Sequence, residues 1–201
     1  MIFPASFVAR HMKRFLRDWL PILAVMLFTR AALADHYVVP TGSMEPTVQV
    51  GDHVFVDKRA YGLRIPVTHV YITRHAAPAP GEVVVLDSPT DNRVLLKRVV
   101  ASEGMEVSVR NGHVSLNGMV QPITQGLEQL GAHAHPLSLW PSGGPDFGPA
   151  VVPPGKTLVM GDNRGNSYDG RSFGFVDNDA ILGRARKVCW HDGSLAWNDL
   201  D

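Results

Sequence analysis

Beyond about residue 36 the chain is a series of short apolar runs bounded by turn residues. "DHVFVDKRAYG", "GEVVVLDSP", "RVLLKRVVASEG", "EVSVRNGHVSLNG", "KTLVMGDN" and "ILGRARKVCW" each read as a strand between Gly, Asn, Asp or Pro. Val107 and Val109 alternate with polar neighbours, as do Val114 and Leu116, and Asn111-Gly112 lies between the two pairs, which predicts a tight hairpin. Asn117-Gly118 predicts a second turn. No long amphipathic helix interrupts this pattern and no internal repeat is present, so a mainly antiparallel β domain is expected over 36–201. From Gln121 to Pro154 the alternation loosens into "GAHAHPLSLWPSGGPDFGPAVVPPG". Gly, Pro and Ala there predict a loop-rich excursion at the surface, over about 118–153.

The N-terminal pattern is different. Arg10, Lys13, Arg14 and Arg17 precede an apolar run from Trp19 to Ala34, broken once by Arg30. A cleaved signal peptide fits the basic start and the small residues at 32–34, and a buried core helix fits the shortness of the uninterrupted part. We read the run as a membrane anchor over 17–35. A helix from near Phe15 to Ala34 is roughly 30 Å long, enough to span the hydrocarbon, and Arg30 can snorkel at the far interface. The positive residues then place 1–16 in the cytoplasm and everything after the anchor outside.

Composition narrows the field. Lys plus Arg number 19, equal to Asp plus Glu, and no basic run or aromatic-interleaved patch occurs, so no nucleic-acid partner is expected. Cys189 is the sole cysteine, which excludes an intrachain disulfide, and in "RKVCWHDG" it reads as a strand residue. His133 and His135 lack further ligands at suitable spacing and are expected to be solvent-exposed; no metal and no cofactor is expected.

Three segments could carry chemistry. In "VVPTGSMEPTVQVGD" the crowding of Pro40, Gly42, Ser43 and Pro46 predicts at least a rigid turn. It could also present Ser43 as a nucleophile, with the Ser43 amide and the Thr41 hydroxyl aimed at an oxyanion. Ser43 would need a base, and nothing local singles out His36, His53, His69 or His75. In the strand from Arg93 to Val100, Lys97 shares a face with Leu95 and Val99, and Arg98 shares the other with Leu96 and Val100. The pattern does not say which cation is buried; a buried Lys can act as a base whereas Arg cannot, and an exposed Lys97 snorkelling from a sheet edge fits equally. "MGDNRGNSYDGRSFGFV" is a polar, hydrogen-bonded loop whose spacing fails as a calcium loop. It could frame a buried amine, with Ser167 as a partner for Lys97.

Together, in this order after an anchor, "PTGSMEPTVQVGDHVFVDKRAYG", "GEVVVLDSP", "LLKRVVASEG" and "MGDNRGNSYDGRSFGFV" resemble the bacterial type I signal peptidases, the leader peptidases that use a Ser/Lys dyad. The resemblance implies a mainly β catalytic domain on a coiled, partly barrel-like antiparallel sheet with a small β/loop excursion, preceded by one N-terminal transmembrane helix, and a membrane-bound serine endopeptidase that removes signal peptides after small residues. By position it implies Ser43 as nucleophile and Lys97 as general base, with Thr41 and the Ser43 amide as the oxyanion hole. Ser167 would orient the lysine, and Asp162, Arg164, Asp169 and Arg171 would support it. Val39, Pro40, Met44, Leu95 and Leu96 would surround the substrate pockets. The implied partners are preprotein signal peptides, bound as an extended strand, and membrane lipid. The implied location is the bacterial cytoplasmic membrane, single-pass, with the catalytic domain on its outer side. Gly165 and Gly170 depart from the family, where these loop positions are more often polar. Two alternatives remain open: a conjugative-transfer peptidase acting on a pilin precursor, and a non-catalytic membrane-tethered β module.

Overall fold

Val83–Asp87 reads VVVLD and has no polar residue before its last position, so as a strand it must be covered on both faces. That is where it sits. In the computed structural model, which describes residues 15–23, 26, 33–65 and 70–200, it pairs with Val94–Ser102 on one side and Ile181–His191 on the other. Val83 and Val85 enter one core with Val54, Val56, Ala185 and Val188. Val84 and Leu86 enter another with Val99, Val159 and Ile181. The period-two alternation of side chains sends one unbroken apolar run into two cores. Fully burying each such side chain contributes about 1.5–3 kcal/mol.

This strand is central to an antiparallel sheet of eight strands. From one edge the order is Ala34–Val38, His53–Asp57, Ile181–His191, Val83–Asp87, Val94–Ser102, Lys156–Met160 and Val176–Asp177; Ser194–Asp199 pairs with Ile181–His191 off this path. Register shifts in Ile181–His191 and between Leu158 and Val159 add local twist, and the sheet curls into a half-barrel. Four shorter strands form a second sheet, including Glu106–Arg110 and His113–Leu116, over a third core with Val107, Val109, Val114 and Leu158. The expected turns are present: Asn111-Gly112 and Asn117-Gly118 take positive φ in two-residue hairpin loops.

The excursion holds strands, as the small β excursion implied by the resemblance does, where the residue pattern alone read as loops: a three-stranded sheet, Ile123–Thr124, Leu127–Leu130 and His133–Pro136, and the strand Phe147–Val151. Its strands are too short and too polar to show as alternation, and Glu128, Leu130 and His135 are buried. At the N-terminus one expectation is corrected, for Ala34 and Asp35 are not helical: they pair with Asp57 and Val56, and the Lys58 amide donates to the Leu33 carbonyl. Residues 15–23 are helical, with Trp19, Leu20 and Ile22 exposed. Among the described residues no helix is long and apolar enough to cross a membrane. Arg30, Ala32, His69 and residues 1–14 lie outside the described residues.

Candidate active site

The turn that carries Ser43 is a short 3-10 helix, Gly42–Met44. It is held from both ends. The Val48 amide donates to the Met44 carbonyl, and Met44 is buried in the first core with Val39 and Val48. Val39 and Asp52 are joined by a backbone hydrogen bond of 2.9 Å, and the Gly51 amide donates to the Val39 carbonyl. From the far side, the Asn163 amide donates to the Ser43 carbonyl at 3.1 Å, and Asn163 Nδ2 donates to the Gly42 carbonyl at 3.0 Å. Gly161 allows this approach, because a Cβ there would lie 2.3 Å from the Ser43 carbonyl oxygen.

Lys97 reaches the turn from the interior strand Val94–Ser102, not from a sheet edge. It opposes Val84 and Arg98 opposes Val83, so the two cations leave on opposite faces. Both are buried. Lys97 Nζ donates to Ser43 Oγ at 2.6 Å and to the Leu96 carbonyl at 3.0 Å, with the residue only 3% exposed. Burial pushes the Lys97 amine down to about 8; Asp169 and Asp162 pull it back up and Arg171 pushes it lower. His36 and His53 instead stack on each other, so among the described residues it is the lysine that meets Ser43.

Arg98, which no reading of the sequence assigned to the site, forks onto Asp162: Nε to Oδ1 at 2.9 Å and Nη2 to Oδ2 at 2.8 Å. Asp162 also accepts from Thr47 Oγ1 at 2.5 Å. Burial opposes the Asp162 charge, but Arg98 and the hydrogen bonds outweigh it and hold the carboxyl below its ordinary range. Asp169 is likewise buried; Arg171 and the Gly161 amide overcome that burial and keep it ionised. Arg171 bonds both Asp169 oxygens at 2.8 Å. Arg164 pairs with buried Glu128 and donates to the Gly112 and Gly161 carbonyls. Three buried arginines are thus each matched to a buried carboxylate. The expected polar loop is a frame of ion pairs, with one partner, Glu128, supplied by the excursion.

His135 corrects the expectation of exposure. Its Nε2 lies 3.3 Å from Glu128 Oε2 and 3.7 Å from Asp162 Oδ1, and neither ring nitrogen makes a hydrogen bond. Ser167 is at the site with its Oγ buried, but Lys97 donates to Ser43 and Leu96 and not to it. Gly161 also faces Ser167, since a Cβ there would lie 2.4 Å from its Oγ. Thr41 is exposed, and its side chain caps no helix.

On the Pro40 and Leu96 side of Ser43 and Lys97 is a small apolar depression of about 100 Å³. Val39, Pro40, Leu95 and Leu96, four of the residues that the resemblance places around the substrate pockets, line it together with Tyr37, Val54 and Val85. Met44 does not line it. Strand alternation could have found Tyr37, which lies two residues before Val39. The terminal strand of the main sheet, Ala34–Val38, leads into this depression. No group of side chains suited to a metal ion occurs among the described residues.

The chain that builds this geometry is similar to known proteins. A family model described as "Signal peptidase, peptidase S26" matches residues 12–190. "Probable signal peptidase I-2" of Synechocystis sp. is 34% identical over 176 residues, covering 84% of this chain and 68% of that protein. "Signal peptidase I" of Pseudomonas fluorescens is 33% identical over 210 residues, covering 90% and 74%. A solved signal peptidase I from Enterococcus faecalis covers 54% of this chain at 22% identity, with a TM-score of 0.41. A match that runs through the Ser43 turn, the Lys97 strand and the 160–176 loop leaves one conclusion: the chain belongs to the signal peptidase family, peptidase S26.

Proposed function

We propose that this chain is a serine endopeptidase that cleaves signal peptides from exported preproteins, with Ser43 as nucleophile and neutral Lys97 as general base. One observation carries the reading: a buried amine, pushed down to about 8, is bonded at 2.6 Å to the Ser43 hydroxyl. An exposed lysine would be almost wholly protonated at neutral pH, whereas this one is free in a useful fraction of molecules.

In the reaction, Ser43 Oγ attacks the carbonyl carbon of the scissile bond while Lys97 Nζ takes the hydroxyl proton. The charge on the carbonyl oxygen is met by the Ser43 amide and the Thr41 hydroxyl; losing one such donor typically costs about 3 kcal/mol. The protonated lysine passes its proton to the leaving amine as the C–N bond breaks. Water then attacks the Ser43 ester and gives its proton to Lys97, which passes it to Ser43 Oγ as the acyl–oxygen bond breaks and the new carboxyl group leaves. The peptide lies extended beside the edge strand Ala34–Val38, where backbone pairing gives affinity and alternate pockets give choice. The depression beside Val39 and Leu96 admits small side chains such as those of an Ala-x-Ala segment. Asp162, Arg164, Asp169 and Arg171 hold the frame, and Ser167 orients the amine.

The chain works at the bacterial cytoplasmic membrane, anchored by the apolar N-terminal segment with its first residues in the cytoplasm. Exposed Trp19, Leu20 and Ile22 on residues 15–23 support this, as does the start of the catalytic domain at the strand that follows. The test is cleavage of a purified preprotein by wild type, Ser43→Ala and Lys97→Ala, with thermal melts to establish folding. Both variants are expected to fold and to lose cleavage. A folded Lys97→Ala protein that still cleaves at neutral pH would show that another base operates.

A further inference from the structure

A second depression lies next to Ser43 and shares no lining residue with the first. It is an open groove of about 940 Å³. Glu45 and Pro46, just past Ser43 in the chain, form one wall. Leu137, Leu139 and Trp140 of the excursion form the other, and Asn166 contributes from the loop.

The far wall is fixed in place. Ser138 forms a parallel bridge with Asn163: its amide donates to the Asp162 carbonyl at 2.9 Å, and its carbonyl accepts from the Arg164 amide at 2.8 Å. Gly165, one of the two departures from the family pattern, permits the contact. A Cβ there would lie 2.5 Å from the carbonyl oxygens of both Trp140 and Ser142. Gly143 is equally constrained, since its Cβ would fall 1.9 Å from the Asn111 carbonyl carbon. Backbone of the excursion is thus clamped to the 160–166 loop, and the Trp140 side chain is left 80% exposed on the result.

A peptide cut within its length has chain on both sides of the scissile bond. If the residues before the bond use the small depression on the Pro40 side, those after it leave past Glu45 and Pro46. We propose that this groove binds the first residues of the mature chain, seating a large apolar side chain against Trp140 and disfavouring an acidic residue beside Glu45. The inference rests on the reading of Ser43 and Lys97 given above. An exposed indole on a rigid wall, flanked by amide side chains, is the kind of anchor that dominates peptide recognition. The Glu45 carboxylate packs over Gly42, where a Cβ would lie 2.8 Å from Oε2, so its charge is held beside the Ser43 turn. An acidic substrate side chain arriving there meets like charge.

The test uses the full chain in detergent and two kinds of substrate with one signal segment. One ends at the scissile bond in a fluorogenic aminocoumarin amide. The others continue for five mature residues carrying Phe, Ala or Asp at the second. Trp140→Ala is expected to lower kcat/KM on the Phe peptide by about tenfold, and at least about fivefold more than on the amide. Glu45→Gln is expected to raise cleavage of the Asp peptide relative to the Ala peptide. Equal loss on peptide and amide, or no loss on either, would overturn the proposal. So would a Trp140→Ala loss that tracks lost sedimentation with lipid vesicles, which would make the indole a membrane contact. Wild type cleaving neither substrate would instead bring down the underlying reading, and the groove's role with it.

Discussion

Gly161 lies so near the Ser43 turn that a single added methyl would stand 2.3 Å from the Ser43 carbonyl oxygen and 2.4 Å from Ser167 Oγ. The first neighbour is backbone and cannot swing aside. Gly161→Ala therefore has to push the turn away from Lys97. A displacement of about 1 Å at a reacting pair can cost on the order of 100-fold in rate. We expect Gly161→Ala to fold, to bind substrate with little change in KM, and to lose kcat by about that factor, measured by steady-state cleavage of a signal-segment amide. A kcat within about twofold of wild type would show that the turn has slack its backbone contacts do not reveal.

The pH profile follows from the amine. With Lys97 pushed down to about 8 by burial, its neutral fraction rises with pH and levels above that value. Cleavage should therefore fall about tenfold per pH unit below the midpoint. A profile flat down to strongly acidic pH would exclude Lys97 as the base.

The same shift acts on stability with a definite sign. Unfolded, Lys97 titrates near 10.5; folded, at about 8. Between those values the unfolded chain holds the extra proton, so stability rises with pH through that window. Below it the deficit is complete, on the order of 3 kcal/mol. Lys97→Met removes the group. We expect the variant to be more stable than wild type near pH 7, with the gap closing as pH approaches 10.5, read from urea midpoints at several pH values. A gap independent of pH would mean that the amine is already free of its burial cost.

How much of this was legible beforehand depends on how local the cause is. The hairpins at Asn111-Gly112 and Asn117-Gly118 are set by two adjacent residues and could be read directly. Asp192-Gly193 makes the same kind of turn between Trp190 and Leu195 and was equally readable. Lys97 and Arg98 could not be told apart by pattern, because their strand is interior and both are buried. The excursion's strands pair with their chain neighbours but are short and polar, so its β character came from the resemblance and not from alternation. Glu128 is buried only because Arg164, 36 positions away, comes to meet it. The glycines at 165 and 170 look like losses of polar residues until their surroundings are seen. A Cβ on either would strike backbone within 2.7 Å.

The Arg98–Asp162 pair is sealed from water on both sides. Asp162→Asn would leave the guanidinium charged, buried and without a counter-ion, at a cost of about 3–5 kcal/mol. Exposed Asp91, paired with Arg93, is the control, and Asp91→Asn should leave the urea midpoint unchanged. Replacing both Arg98 and Asp162 by apolar residues of similar volume should recover much of the loss. Equal midpoints for Asp162→Asn and wild type would mean that water reaches the pair.

Ser167 joins the ion-pair frame to the amine. Its Oγ is buried against Gly161, and although burial opposes the charge, its hydroxyl helps Arg171 hold the Asp169 carboxyl below its ordinary range. On the proposed mechanism the same hydroxyl orients the Lys97 ammonium once Ser43 has given up its proton. Ser167→Ala is then expected to fold, with a stability loss of no more than about 1 kcal/mol, while kcat falls about tenfold, as for one lost hydrogen bond to a charged group. Ser167→Thr, which restores a hydroxyl, should recover part of kcat if its methyl can be housed. A destabilised Ser167→Ala with unchanged kcat would give the hydroxyl a structural role and remove it from the proposed mechanism.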